Sequence, residues 1–277
     1  MTIKELKEYG INMLKKANCP EASLKVKLLL GYTLGVTKEY LVTNDNEEVD
    51  SLVENVFYER LKKLEERVPL EYITHNKEFM KLNLYVDENV LIPRPDTEVL
   101  VEEVIKRCKE NDNVLDLCTG SGAIAVSLAK YLNGLNITGI DISDKAIEIA
   151  KKNASTNNVF IDFYKSNLFE NVKQNNWNVI VSNPPYIESN VINELEPEVR
   201  NEPKIALDGG EDGLDFYRKI IYETPYYLKN NGILALEIGY NQSKAVEKLI
   251  KKRGCYTDVE TIKDLAGNDR VVICKIK

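Results

Sequence analysis

The sequence predicts an α/β protein: a seven-stranded, mostly parallel sheet with an antiparallel last strand, preceded by a small N-terminal helical domain joined to it by a β-hairpin. Three observations carry this. From Asn113 onward, short apolar segments alternate with segments of helical periodicity, the pattern of βαβ units. The last two apolar segments are separated only by the turn-rich "KDLAGND", so they are expected to pair antiparallel. Residues 1–70 read as helices.

Within residues 1–70, "KELKEYGINMLKKA" gives a first helix. "SLKVKLLLGYTLG" is locally ambiguous, because Leu24, Val26 and Leu28 alternate; its helical neighbours and the spacing Ala22, Val26, Leu29 assign it to a helix. Val49, Leu52, Val53, Val56, Phe57, Leu61 and Leu64 mark a third, with Asp45 or Asn46 as its cap. Residues 71–95 are the linker, where "EYITHNKEFMKLNLYVDE" predicts two strands around a turn at His75-Asn76. Pro93 and Pro95 stiffen the chain, and Asp96 or Thr97 caps a helix carrying Leu100, Val101, Val104, Ile105 and Cys108. In residues 96–277, strands are expected at 114–117, 136–141, 159–164, 177–182, 232–238, 256–261 and 271–276. Helices are expected at 123–132, 144–156, 214–229 and 243–253.

Composition excludes several classes. The apolar runs are short and broken by Lys, Glu or Asn, so no membrane span is expected. "MTIKELKEYG" lacks the apolar core of a signal peptide, which predicts a cytoplasmic protein. The net charge of −7 argues against direct DNA binding, which calls for a cationic surface to displace counterions. His75 is the only histidine, and the five cysteines show no C-x-x-C spacing, so His-based triads and metal sites are not expected.

The chemistry concentrates at two places. In "VLDLCTGSGAIAVSLA" a strand runs into a glycine turn and then a helix, the geometry that gathers ligands at the carboxyl edge of an open sheet. Gly120-Ser121-Gly122-Ala-Ile-Ala125 fits the dinucleotide pattern G-x-G-x-x-A, with Asp141 placed to accept ribose hydroxyls. Asp116 before the turn instead suits an amino-bearing ligand and opposes a pyrophosphate. S-adenosyl-L-methionine has an ammonium, a sulfonium and a ribose, and no phosphate.

The second place is "VSNPPYI". Two prolines end the strand, because neither donates to the ladder. Asn183 offers a side-chain carbonyl and Pro184 a free main-chain carbonyl, two acceptors that can hold both hydrogens of an NH2 group. Pro185 stiffens the corner, and Tyr186 can pack on the flat face of an amide or base.

Taken with "IPRPDTE" and "EPKIALDGGEDGL", the stretches "DLCTGSGAIA", Asp141 and "NPPY" resemble the class I S-adenosylmethionine-dependent methyltransferases. More narrowly, the chain looks like the family that methylates the glutamine side-chain amide in peptide chain release factors, and the likeness spans nearly all of it. The resemblance implies that Asp116, Cys118, Thr119, Gly120, Ser121, Gly122, Asp141, Asn167 and Leu168 bind the cofactor, with Asn167 and Leu168 beside the adenine. It implies that Asn183, Pro184, Pro185 and Tyr186 hold the glutamine, with Asn183, Pro184 and Tyr186 as the catalytic set and Asn183 also facing the cofactor. The family commonly has Gly where Cys118 stands, often Asp at Asn167 and an aromatic at Leu168. A thiol at Cys118 is compatible with the turn if its φ is negative.

The expected reaction is methyl transfer from S-adenosyl-L-methionine to the glutamine of the Gly-Gly-Gln (GGQ) loop of a class 1 release factor, leaving S-adenosyl-L-homocysteine. A monomer that binds no membrane is expected. Two alternatives remain: a nucleic-acid methyltransferase acting on an exocyclic amine of adenine or guanine, and a cofactor-binding scaffold without catalysis. Trp177 is expected in the core, His75 in a solvated loop, and "NELEPEVRNEPK" in a mobile surface loop. The resemblance places Arg94 near the active-site entrance.

Overall fold

A computed structural model describes all residues, 1–277. The chain forms two compact units, one of Met1–Asn76 with Glu196–Asn201, the other of Lys77–Leu195 with Glu202–Lys277.

The first unit contains α1 (Ile3–Lys16), α2 (Ala22–Leu34), α3 (Lys38–Thr43), α4 (Ser51–Glu65) and α5 (Leu70–Thr74). Thr2 and Glu5 close a reciprocal capping box at the start of α1. Ile3, Leu6, Gly10 and Leu14 form its buried stripe, which packs into a core with Val26, Leu29, Leu30, Phe57 and Leu61. Each fully buried Leu contributes roughly 1.5–3 kcal/mol relative to exposure. The third expected helix begins later than the sequence suggests: Asp50, not Asp45 or Asn46, caps α4, by accepting from the Leu52 N–H at 2.8 Å.

The second unit opens with β1 (Lys77–Phe79) and β2 (Leu82–Leu84), paired antiparallel. The hairpin turn is Met80-Lys81, both at positive φ, and not His75-Asn76. Tyr72 and Ile73 lie instead in α5, where His75 takes a left-handed C-cap conformation. There follow α6 (Pro95–Arg107), β3 (Asn113–Leu117), α7 (Ala123–Tyr131), β4 (Asn136–Asp141), α8 (Asp144–Thr156), β5 (Asp162–Lys165) and β6 (Trp177–Ser182). Pro95 occupies the first turn of α6 and Arg94 precedes it as N-cap, so neither Asp96 nor Thr97 is the cap. The chain then includes the four-residue α9 (Pro197–Arg200), which belongs to the first unit, where Glu198 pairs with both Lys25 and Arg67 at 2.9 Å. "NELEPEVRNEPK" is therefore structured, and its Glu202 is buried.

The remaining elements are α10 (Asp215–Glu223), β7 (Leu228–Glu237), α11 (Ser243–Arg253), β8 (Tyr256–Lys263) and β9 (Asp269–Ile276). The expected helix over 214–229 stops at Glu223. Pro225 brings no N–H, a 3-10 turn at Thr224–Tyr226 follows, and β7 starts at Leu228 beside Trp177.

The sheet order is β5-β4-β3-β6-β7-β9-β8, with β9 antiparallel to both neighbours and the other pairings parallel. Both faces are covered: one core includes Leu100, Val126, Ala150 and Phe163, the other Trp177, Tyr217, Ile220 and Val246. Strand order reverses between β3 and β6, so a crevice opens above their carboxyl ends. No helix is long and apolar enough to cross a membrane.

Candidate active site

At that switch point Ser182 Oγ donates to the Leu117 carbonyl at 2.7 Å, locking the last residues of β3 and β6 together. The chain leaves β3 through Cys118 and the glycine turn. The Thr119 N–H donates to the Ile140 carbonyl at 2.9 Å, and the Gly122 N–H to the Thr119 carbonyl at 2.8 Å. Gly120 has φ +54° and no heavy atom within 4 Å of where a Cβ would project, leaving its backbone open to a ligand. Gly122 serves packing instead: a Cβ there would lie 3.1 Å from the Ala150 Cβ on α8.

The turn frames a cavity of about 1080 Å³ of empty space, part of it open to solvent, lined entirely by the second unit. Cys118, Thr119, Gly120, Ser121, Asp141, Asn167 and Leu168 line it, and so do Asn183 and Pro185. The glycine turn and the proline corner, far apart in sequence, thus meet in one site. Asp116, Gly122, Pro184 and Tyr186 do not line it.

Asp116 lies behind the turn, wholly buried, where its Oδ2 accepts from Thr119 Oγ1 at 2.6 Å. Burial raises its pKa to about 7. It braces the turn from behind through Thr119. Cys118 has φ +59°, so the condition of a negative φ for a thiol at this turn is not met. Asp141 accepts from the Gly120 N–H through Oδ2 and from the Ser143 N–H through Oδ1, each at 2.9 Å. Each oxygen keeps a second lone pair, enough for a vicinal diol. Burial pushes its pKa up, against these backbone donors. Asn167 spends its NH2 on Glu170 Oε1 at 2.7 Å, which leaves the carbonyl for a ligand.

At the other wall, Asn183 Nδ2 donates to Thr97 Oγ1 at 3.2 Å. The side-chain oxygen of Asn183 is therefore the end left over. No protein donor satisfies the Pro184 carbonyl. Tyr186 is partly buried and packs against the core that includes Tyr217 and Ile220, with Oη donating to Glu237 Oε1 at 3.3 Å. Arg94 pairs with Glu202, whose Oε2 also accepts from the Ile92 N–H at 3.1 Å.

Thr97 and Glu237 were not singled out for the site from sequence. Thr97 lines the cavity from α6. A single acid closing the buried run "GILALE", on the strand beside β6, was the available signal for Glu237.

The lining also tests a cofactor. It contains no Lys or Arg, and Asp141 is its only charged residue. Ile124, Ile142, Ala146 and Leu168 add apolar walls. A pyrophosphate would find no counter-charge here, whereas a ribose, an adenine and a cationic centre suit this donor set.

Residues 5–74 match the family model described as the PrmC N-terminal domain, and residues 94–196 match the methyltransferase small domain. The chain is 41% identical over 255 residues to the release factor glutamine methyltransferase of Thermodesulfovibrio yellowstonii, covering 88% of this chain and 89% of that protein. It is 37% identical to that of Clostridium acetobutylicum over 99% of this chain and 98% of that one. The chain belongs to the release factor glutamine methyltransferase family. Among solved structures, a methyltransferase from Pyrococcus furiosus has a TM-score of 0.53 at 23% identity, covering 71% of this chain and 89% of its own. The hMettl16 catalytic domain, solved with the MAT2A 3'UTR hairpin 6, has a TM-score of 0.56 at 18% identity, covering 77% and 81%. These two share the class I methyltransferase fold with this member of the release factor glutamine methyltransferase family.

Proposed function

We propose that this methyltransferase binds S-adenosyl-L-methionine and methylates the glutamine side chain in the GGQ loop of class 1 peptide chain release factors. One observation carries the reading: the spare oxygen of Asn183 and the open backbone of Gly120 share a single cavity without a basic residue.

Asp141 would hold the ribose, Asn167 and Leu168 the adenine, and the glycine turn the amino-acid portion of the cofactor. When bound, S-adenosylmethionine supplies a sulfonium-linked methyl group, which passes to the amide nitrogen and leaves S-adenosylhomocysteine. Asn183 Oδ1 would take one amide hydrogen, and the Pro184 carbonyl, set between the lining residues Asn183 and Pro185 and without a protein donor, would take the other. Holding them opposes delocalisation of the nitrogen lone pair and aims it into the cavity. Positioning of this kind removes entropy from the barrier. The N-methylated cationic amide is strongly acidic, so it gives up its proton to water without a dedicated base.

A flipped nucleobase would fit the same two acceptors. The lining, which carries no Lys or Arg, offers nothing to a phosphate backbone, which favours the protein substrate. The test is a methylation assay with purified release factor, RNA and DNA as acceptors. A gain of one methyl on the GGQ glutamine by mass spectrometry is expected. Transfer to nucleic acid alone would replace this reading with the other.

A further inference from the structure

Behind Asn183 a polar chain runs from Thr97 on the cavity wall to Glu237 in the core. Thr97 is 4% exposed and Glu237 1% exposed. Asn183 Nδ2 donates to Thr97 Oγ1 at 3.2 Å. Thr97 stabilises the charged form of the Glu237 carboxylate, with no hydrogen bond formed between the two. Glu237 Oε1 accepts from Tyr186 Oη, while Oε2 is buried without a formed hydrogen bond, an oxygen in want of a donor. Tyr217 Oη donates to the Glu237 main-chain carbonyl at 2.9 Å and fixes the end of β7.

We infer that Thr97 and Glu237 are positioning residues that orient the Asn183 carboxamide, keeping its oxygen and not its NH2 toward the substrate amide. A carboxylate only accepts, and the Thr97 hydroxyl has one proton to give. With that proton directed at Glu237, Oγ1 presents only lone pairs to Asn183. It can then receive the Asn183 NH2 and nothing else. The carboxamide oxygen is left facing the cavity, where a glutamine NH2 needs an acceptor.

Protonation of Glu237 would undo this order. A carboxylic acid can donate to Thr97, which frees the threonine proton for Asn183 Oδ1. The carboxamide can then turn over and set its own NH2 against that of the substrate. The groups around Glu237 set where this happens. Burial raises its pKa to about 7, assisted by Asp96 on α6 and opposed by Thr97, Tyr186 and Arg270 on β9. Arg270 is itself held by Asp96 at 3.0 Å and Asp264 at 3.2 Å.

The inference rests on the proposed glutamine substrate. It is tested by steady-state methylation of a purified release factor at saturating cofactor. Thr97→Val keeps the shape and removes the hydroxyl; its kcat should fall ~10-fold or more, the scale of one lost buried hydrogen bond. Its affinity for S-adenosylmethionine, measured by calorimetry, should stay within about twofold. Thr97→Ser should restore most of kcat, which separates the hydroxyl from packing. Wild-type kcat should decline as pH falls below about 7. Glu237→Gln should give a low kcat with that acid limb gone. Wild-type turnover in Thr97→Val, or an unchanged acid limb in Glu237→Gln, would overturn the relay. A wild-type protein that methylates no release factor would remove the functional reading itself, and the relay with it.

Discussion

The Gly120 N–H donates to Asp141 Oδ2 at 2.9 Å, tying the glycine turn after β3 to the end of β4. The carboxylate therefore shapes the cavity wall and stays available to a ligand diol. Asp141→Asn replaces one acceptor by a donor that would oppose the N–H of Gly120 or Ser143. A charge-assisted hydrogen bond is worth about 1.5–3 kcal/mol, so affinity for S-adenosylhomocysteine should fall roughly 10- to 100-fold. Calorimetric titration measures it, and wild-type affinity would remove Asp141 from the cofactor site.

Asp116 makes a prediction about pH and stability. Its folded-state pKa is raised to about 7 by burial, against an ordinary value of 3.8. Below the ordinary value both folded and unfolded forms are protonated. As pH rises from about 4 to about 7, the unfolded chain ionises first, so stability is lost through that window. Asp116→Asn retains a carbonyl for the Thr119 hydroxyl and cannot ionise. Its stability relative to wild type should improve by an amount on the order of a few kcal/mol between pH 4 and pH 8. Denaturant titrations of both proteins at the two pH values decide it; a constant difference would show that Asp116 does not titrate in this range.

Cys118 holds φ +59° at the cavity edge, where a side chain strains the backbone. Cys118→Gly should stabilise the protein by ~1 kcal/mol, read as a higher denaturation midpoint. The same thiol should resist alkylation at neutral pH. Burial raises its pKa, and Asp141 and Asp116 push it further. Rapid modification by iodoacetamide, with mass-spectrometric assignment to Cys118, would contradict that environment.

Legibility in the sequence followed the range of the forces involved. α8 and α11 have the expected limits, 144–156 and 243–253, because their ends are set locally by Ser143 and Gly254. The hairpin escaped its expected place because Met80-Lys81 carries no Gly or Asn to mark two left-handed residues. The place of Asn183 on the cavity wall was readable from its proline neighbours. The partner of the Tyr186 hydroxyl was not: Glu237 becomes its neighbour only once β6 and β7 pair. Thr97 read as a possible cap, because nothing near it in sequence indicates Asn183, 86 residues away.

The last prediction concerns what holds the proline corner in place. After the corner, the Ile187 N–H donates to the Leu207 carbonyl at 3.0 Å, and the Gly209 N–H returns to the Ile187 carbonyl at 2.8 Å. This two-rung bridge brings "ALDGG" back against "NPPY". A Cβ on Gly209 would lie 2.7 Å from Tyr186 Cα and 2.9 Å from the Pro185 carbonyl oxygen. Both are backbone atoms, so no rotamer change can relieve the clash. Gly209→Ala must displace the corner or break the bridge. The cofactor side of the cavity is built on β3 and β4 and does not depend on this contact. Methyl transfer to the release factor should therefore fall ~100-fold or more, as a misplacement of about 1 Å costs at a positioned site. Cofactor affinity should stay within about threefold. Equal loss of both would mean that the substitution unfolds the unit and not that it moves the corner, and full activity would show that the corner tolerates displacement and that Asn183 is not held by this bridge.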